Sequence, residues 1–185
     1  DIGPRGGMPV MEGKALLFKY LGGVDAVPLC LDTRSTEDLV RTVRLIQPTF
    51  GGINLEDIAQ PRCFEVLDML RADPAIEIPV FHDDQQGTAT VLLAGLLNAL
   101  KLTNRDIRDT RFAMIGMGAA NVATLRLLRA CGVSLDQVIA CDSRGILHHE
   151  REDIVARQEE FPDKYLLCME SNPDDVRGGL AEAMR

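Results

Sequence analysis

Apolar runs alternate with amphipathic stretches along the 185 residues, the order expected of α/β architecture. Glu12 to Leu21 has helical spacing and is stopped by Gly22 and Gly23. Val27 to Leu31 is a short apolar run that predicts a strand. Ser35 with Asp38 resembles a capping box for a helix reaching about Ile46, with Leu39, Val43 and Ile46 on one stripe. Phe50 to Leu55 predicts a strand ending on two acids, and a helix follows with Pro61 near its first turn, to about Arg71. Ile78 to Phe81 is another short strand ending on acids. Thr88 to Lys101 is almost wholly apolar, too hydrophobic all round for a surface helix. After a polar linker, strand Arg111 to Ile115, a glycine-rich turn, helix Ala120 to Ala130 and strand Val138 to Cys141 make a βαβ unit. From His148 onward the chain is charged and mostly helical in pattern.

Composition narrows the function classes. Hydrophobic residues make up 46% and charged residues 26% of the chain, ordinary values for a folded core. Twenty basic against 28 acidic side chains give a net charge of −8, which with few aromatics argues against nucleic acid as a partner. The longest apolar stretch, Val91 to Leu97, is too short to span a bilayer, so no membrane partner is expected. The 5 cysteines are scattered without CxxC spacing, which fits reduced thiols in a cytoplasmic setting. A first residue other than Met and a last residue inside a helix-like pattern suggest a piece of something longer.

Three features carry chemistry. Gly116-Met117-Gly118-Ala119-Ala120-Asn121 joins a strand to a helix, the context a dinucleotide fingerprint requires. Asp142 closes the next strand about 20 residues further on, where an acid would take the ribose 2′-hydroxyl. An ordinary strand–helix turn is the plainer reading. Asn121 replaces the third glycine, which predicts looser helix–strand packing. The second feature is two acid pairs at strand ends, Glu56-Asp57 and Asp83-Asp84. Convergent carboxylates would suit Mg²⁺ or Mn²⁺; solvated loop acids or helix N-caps fit the spacing as well. The third is Lys14, at the start of a largely apolar helix. It is either a proton-transfer group tuned by nearby carboxylates or a surface lysine with its stem laid along the helix.

Together the motifs resemble a known family. Pro9-Val10-Met11-Glu12-Gly13-Lys14-Ala15, Pro48 to Ile58 (PTFGGINLEDI) and Ile78 to Ala89 (IPVFHDDQQGTA) are similar, in order, to the successive signatures of bacterial-type malic enzymes. The resemblance implies a substrate- and metal-binding domain over residues 1–84, followed by a Rossmann-type domain over 85–185, each incomplete. It implies Glu56, Asp57 and Asp84 as divalent-metal ligands, Lys14 as general base, and Asp83 as an acid that helps set the lysine's protonation. Gly116, Met117, Gly118, Ala119, Ala120 and Asn121 match the cofactor loop.

The activity so implied is oxidative decarboxylation of malate to pyruvate and CO₂ with reduction of NAD or NADP, in a cytoplasmic homo-oligomer. The family's proton donor is a tyrosine upstream of the lysine motif, and no tyrosine precedes Lys14 in this sequence. This stretch on its own is therefore expected not to turn over malate. Gln86 stands where histidine is common and Asn121 where glycine is common. Asp142 argues for NAD, while Arg144 two residues later would accept a 2′-phosphate. The other readings are a non-catalytic dinucleotide-binding module and an amino-acid dehydrogenase, which shares the cofactor turn but needs no carboxylate cluster.

Overall fold

The chain divides into two units, residues 1–82 and 83–185, and a computed structural model describes residues 3–185. The first unit opens with α1 (Gly3–Gly22), which runs through Pro9 and so starts well before the expected Glu12. Proline inside a helix removes one backbone bond but does not forbid the helix. Gly23, at φ 66°, ends it, and the Gly23 and Val24 amides donate to the Lys19 and Phe18 carbonyls. No residue of α1 is buried. Val27 to Leu31 forms no strand. Pro28 has no amide to donate and breaks the run as a sheet element.

α2 (Thr36–Ile46) starts where expected, with the Asp38 amide donating to Ser35 Oγ at 3.1 Å. Only half of the capping box forms, because the Asp38 carboxylate accepts from Thr33 Oγ1 instead. β1 (Ile53–Leu55) and β2 (Val80–His82) pair in parallel, Ile53 beside Val80, and α3 (Arg62–Ala72) lies between them in sequence. Val40 and Val43 of α2, Leu55 of β1 and Val66, Leu67 and Leu70 of α3 form one buried cluster. Thr36 Oγ1 donates to Glu65 at 2.9 Å, and Arg44 pairs with Asp73, fastening α2 across to α3 and its end.

The second unit begins with a single π-helical turn, Asp83–Gly87, leading into α4 (Thr88–Thr103). β3 (Phe112–Ile115) pairs in parallel with β4 (Val138–Asp142), and α5 (Ala119–Ala130) makes the crossover. β5 (Gly145–Ile146) returns antiparallel to β4 through the two-residue turn Ser143-Arg144, a hairpin the sequence reading did not anticipate. Short helices α6 (Glu152–Val155), α7 (Pro162–Glu170) and α8 (Leu180–Ala183) complete the unit. α5 buries Val122, Leu125 and Leu128, and β4 buries Val138, Ala140 and Cys141.

The expectation for α4 is corrected. Its main neighbours are α5 and the Asp83–Gly87 turn. They cover one side, leaving Val91 69% and Leu102 89% exposed while Ala89 and Leu100 are buried. An all-round apolar helix needs cover on every side to be buried, and these two neighbours supply it on one. Among the described residues no helix is long and apolar enough to cross a membrane.

Candidate functional site

In the first unit, Lys14 on α1 reaches Glu56 at the end of β1, Nζ to Oε2 3.0 Å. Their side chains are 23% and 9% exposed, so the pair is largely withdrawn from water. A carboxylate this buried is costly to leave ionised without a partner, and the ammonium offsets that cost. Asn54 Nδ2 approaches the same Glu56 oxygen at 3.4 Å. Asp57 follows with φ 56°. That left-handed conformation is disfavoured for most residues and tolerated best by glycine, asparagine and aspartate. His82 closes β2 fully buried.

In the second unit, Asp83 and Asp84 open the π-helical turn, half-buried. The turn lies against α5, the helix that starts at the glycine-rich segment. Single π-helical turns are rare and concentrate at functional positions. Among the described residues no three His, Cys, Asp or Glu side chains stand together as a ready-made metal cage.

The glycine-rich turn has the backbone of a phosphate loop. The Gly116 amide continues the sheet by donating to the Cys141 carbonyl at 2.8 Å, and Gly116 then turns with φ 85°. Gly118 is the N-cap of α5 in extended conformation, φ −90° and ψ −172°, with no side-chain cap. Any residue can adopt those angles, and a Cβ on Gly118 would meet nothing within 4 Å. Nothing inside the chain demands glycine there. Close approach of an external group to the backbone is what the missing side chain permits. Met117 is turned inward and buried, while Ala119, Ala120 and Asn121 are half-exposed along the first turn of α5.

Asp142 ends β4 as expected, but it sits in a network that sequence spacing did not reveal. Its side chain is 7% exposed. One carboxylate oxygen accepts from the Arg144 amide (2.9 Å) and Arg151 Nη1 (3.1 Å). The other accepts from Arg151 Nη2 (3.0 Å) and Lys164 Nζ (3.3 Å). Burial pushes the Asp142 carboxyl up, but Arg151 and the Arg144 amide outweigh it and hold the group below its ordinary value. Arg151 also pairs with Asp153 at 2.7 Å, holding that carboxyl down at about 2. Arg144 reaches Asp153 at 3.2 Å. Arg151 lies in the charged stretch after His148, where one arginine among many charges carries no spacing signal.

These features define a class: a Rossmann-type dinucleotide domain preceded by a small α/β unit that sets a lysine beside a strand-end carboxylate. The comparisons with known proteins give the family. The family model "Malic enzyme, NAD binding domain" matches residues 85–182, and "Malic enzyme, N-terminal domain" matches residues 1–41. The chain belongs to the malic enzyme family. It is 47% identical over its whole length to the NAD-dependent malic enzyme of Geobacillus stearothermophilus, covering 36% of that protein. It is 42% identical to the NADP-dependent malic enzyme of Halomonas elongata, with 98% of this chain and 43% of that one aligned. The malic enzyme of Entamoeba histolytica superposes with a TM-score of 0.87 at 48% identity, over 96% of this chain and 37% of that structure. The malic enzyme of Pyrococcus horikoshii gives 0.86 at 47%, over 98% and 41%. The chain thus spans less than half the length of these relatives.

Proposed function

We propose that this chain carries the base, the metal-binding carboxylates and the pyrophosphate turn of an enzyme that oxidatively decarboxylates malate to pyruvate and CO₂ with reduction of NAD or NADP. Family membership and the names of the relatives support the reaction. The observation that carries it to these residues is the Lys14–Glu56 pair at 3.0 Å, an ammonium beside a carboxylate on separate elements that the family motifs match to base and metal ligand.

The donor set Glu56, Asp57 and Asp84 is all carboxylate oxygen, which fits Mg²⁺ or Mn²⁺. It is the order of the family motifs that joins Asp84 to the other two. The open space over Gly118 fits a dinucleotide pyrophosphate. A cation held by these carboxylates would supply Lewis-acid stabilisation of negative charge on the C2 oxygen, and a bound nicotinamide would supply the hydride acceptor. Lys14 Nζ accepts the hydroxyl proton in its neutral form, after giving up the proton it carries in the ion pair. By the family resemblance, Asp83 matches the acid that helps set the protonation of the lysine. The amides that follow Gly116 in the turn and in the first turn of α5 hold the pyrophosphate, and Asp142 closes the strand beside the ribose. We further infer a cytoplasmic homo-oligomer, on the family resemblance.

Replacing Asp84 with Asn in the full-length protein removes an anionic ligand. Mn²⁺ affinity by titration calorimetry is expected to fall at least about tenfold, with NAD binding retained. Equal Mn²⁺ affinities would overturn the metal assignment.

A further inference from the structure

Asn121 occupies the third position of the G-x-G-x-x-G pattern, where glycine ordinarily lets helix and strand approach. As the third residue of α5 it sends its side-chain amide back over the turn. Nδ2 donates to the Ile115 carbonyl at 3.0 Å and to the Gly116 carbonyl at 2.6 Å. Two carbonyls can only accept, so the nitrogen and not the oxygen of the amide faces the turn. The last strand residue and the first turn residue are thus tied to the helix they precede.

We infer that Asn121 is a positioning residue whose side chain holds the Gly116 peptide in its dinucleotide-binding orientation, without that side chain itself contacting the cofactor. This rests on the cofactor reading above. The argument starts from glycine's freedom: Gly116, at φ 85°, sits in a region it visits as readily as its mirror. The Gly116-Met117-Gly118 turn therefore has little intrinsic preference for one peptide orientation. The Gly116 amide is fixed by the Cys141 carbonyl at 2.8 Å and its carbonyl by Asn121. In a trans peptide the C=O and the following N–H point opposite ways, so fixing the Gly116 carbonyl also aims the Met117 amide. A glycine at position 121 has no side chain with which to do this. Here the side chain supplies that hold.

The test is Asn121→Gly beside Asn121→Ala in the full-length enzyme. If Asn121 only fills the glycine position, N121G restores the usual fingerprint and binds dinucleotide as well as the parent or better. If it holds the turn, N121G and N121A both bind NAD⁺ or NADP⁺ about three- to tenfold more weakly, the scale of one positioning hydrogen bond. Alanine is the best helix former and glycine among the worst, so equal losses would trace to the missing amide and not to the helix. The Km for dinucleotide should rise while the Km for malate and the thermal midpoint hold. Retained or tighter dinucleotide binding by N121G overturns the inference. So does a parallel rise in both Km values with a lowered midpoint, which marks a purely structural role. Failure of the parent enzyme to bind either dinucleotide would instead overturn the cofactor reading, and the inference with it.

Discussion

The two units hold their chemistry in different ways. In the first, Lys14 lies on a helix with no buried residue and pairs with Glu56 at 3.0 Å. The unit's core is one cluster shared by α2, α3 and β1. In the second, the cofactor turn grows directly from a strand in register with its neighbour, and the following helix buries three of its own apolar side chains. Sheet hydrogen bonds and helix packing position that turn before any side chain intervenes, and Asn121 then refines it. Lys14 thus stands on a helix that buries none of its residues, whereas the glycine-rich turn stands on the sheet itself. The second arrangement suits its task, since a phosphate loop needs amides fixed in advance.

The largest expected effect breaks the first unit at its core. Leu70 is 1% exposed, and α3 places it in the cluster with Val40, Val43 and Leu55. Leu70→Ala should cost about 3 kcal/mol, the middle of the range for a buried leucine. Denaturant unfolding measures that loss. Because β1 leads straight into Glu56, Mn²⁺ affinity should fall in the same variant, while dinucleotide affinity, a property of the second unit, stays near the parent value. Loss of both together would erase the distinction between the units.

Arg151→Met tests the second unit. It leaves Asp142 buried with the Arg144 amide and Lys164 but without its bidentate partner. Stripping one member of a buried ion pair costs about 3 kcal/mol, and less where other donors remain, so roughly 2 kcal/mol is expected. The pH dependence sharpens it. Asp153 is held at about 2 by Arg151, below the ~4 of an unfolded chain. A carboxylate depressed in the folded state contributes stability above its unfolded pKa and loses it as pH falls through the folded one. The gap between parent and variant should therefore narrow from about pH 4 down to about pH 2. Parallel acid-unfolding curves would show that Arg151 acts by packing alone.

The limits of sequence reading follow the same division. The βαβ unit was legible because its strands, glycine turn and helix are contiguous and each announces itself by period or punctuation. α2 was legible through Ser35 and its apolar stripe. Val27 to Leu31 misled because hydrophobicity signals burial but not pairing, and Pro28 removes an amide that pairing needs. α1 begins before the expected Glu12 because a proline inside a helix removes one backbone bond without ending it. α4 misled because its composition describes an environment that α5 and the Asp83–Gly87 turn only half provide. The Lys14–Glu56 approach and the Arg144–Asp142–Arg151–Asp153–Lys164 network depend on tertiary placement. Period and spacing contain nothing of that. Asn121 was visible as a departure from glycine, yet its bonds to two carbonyls could be seen only in three dimensions.

The smallest effect tests the feature most legible of all. Ser35 accepts from the Asp38 amide at 3.1 Å at the start of α2, satisfying one of the donors that every helix N-terminus leaves open. Ser35→Ala removes that acceptor and should cost about 1 kcal/mol, at the middle of the range for N-cap losses. Only half of the expected box exists, since the Asp38 carboxylate serves Thr33. The reciprocal bond therefore adds nothing to the loss. Asp38→Ala should accordingly not reproduce the Ser35 effect through the cap, and its cost should fall below that of Thr33→Val, which deletes the other end of the same hydrogen bond and also the acceptor of the Ser35 amide. Unfolding of the three variants and of the Thr33–Asp38 double variant separates the two contributions. Additive losses from Thr33→Val and Asp38→Ala would mean that the carboxylate acts on the helix end after all, through the amides of its first turn and not through Thr33.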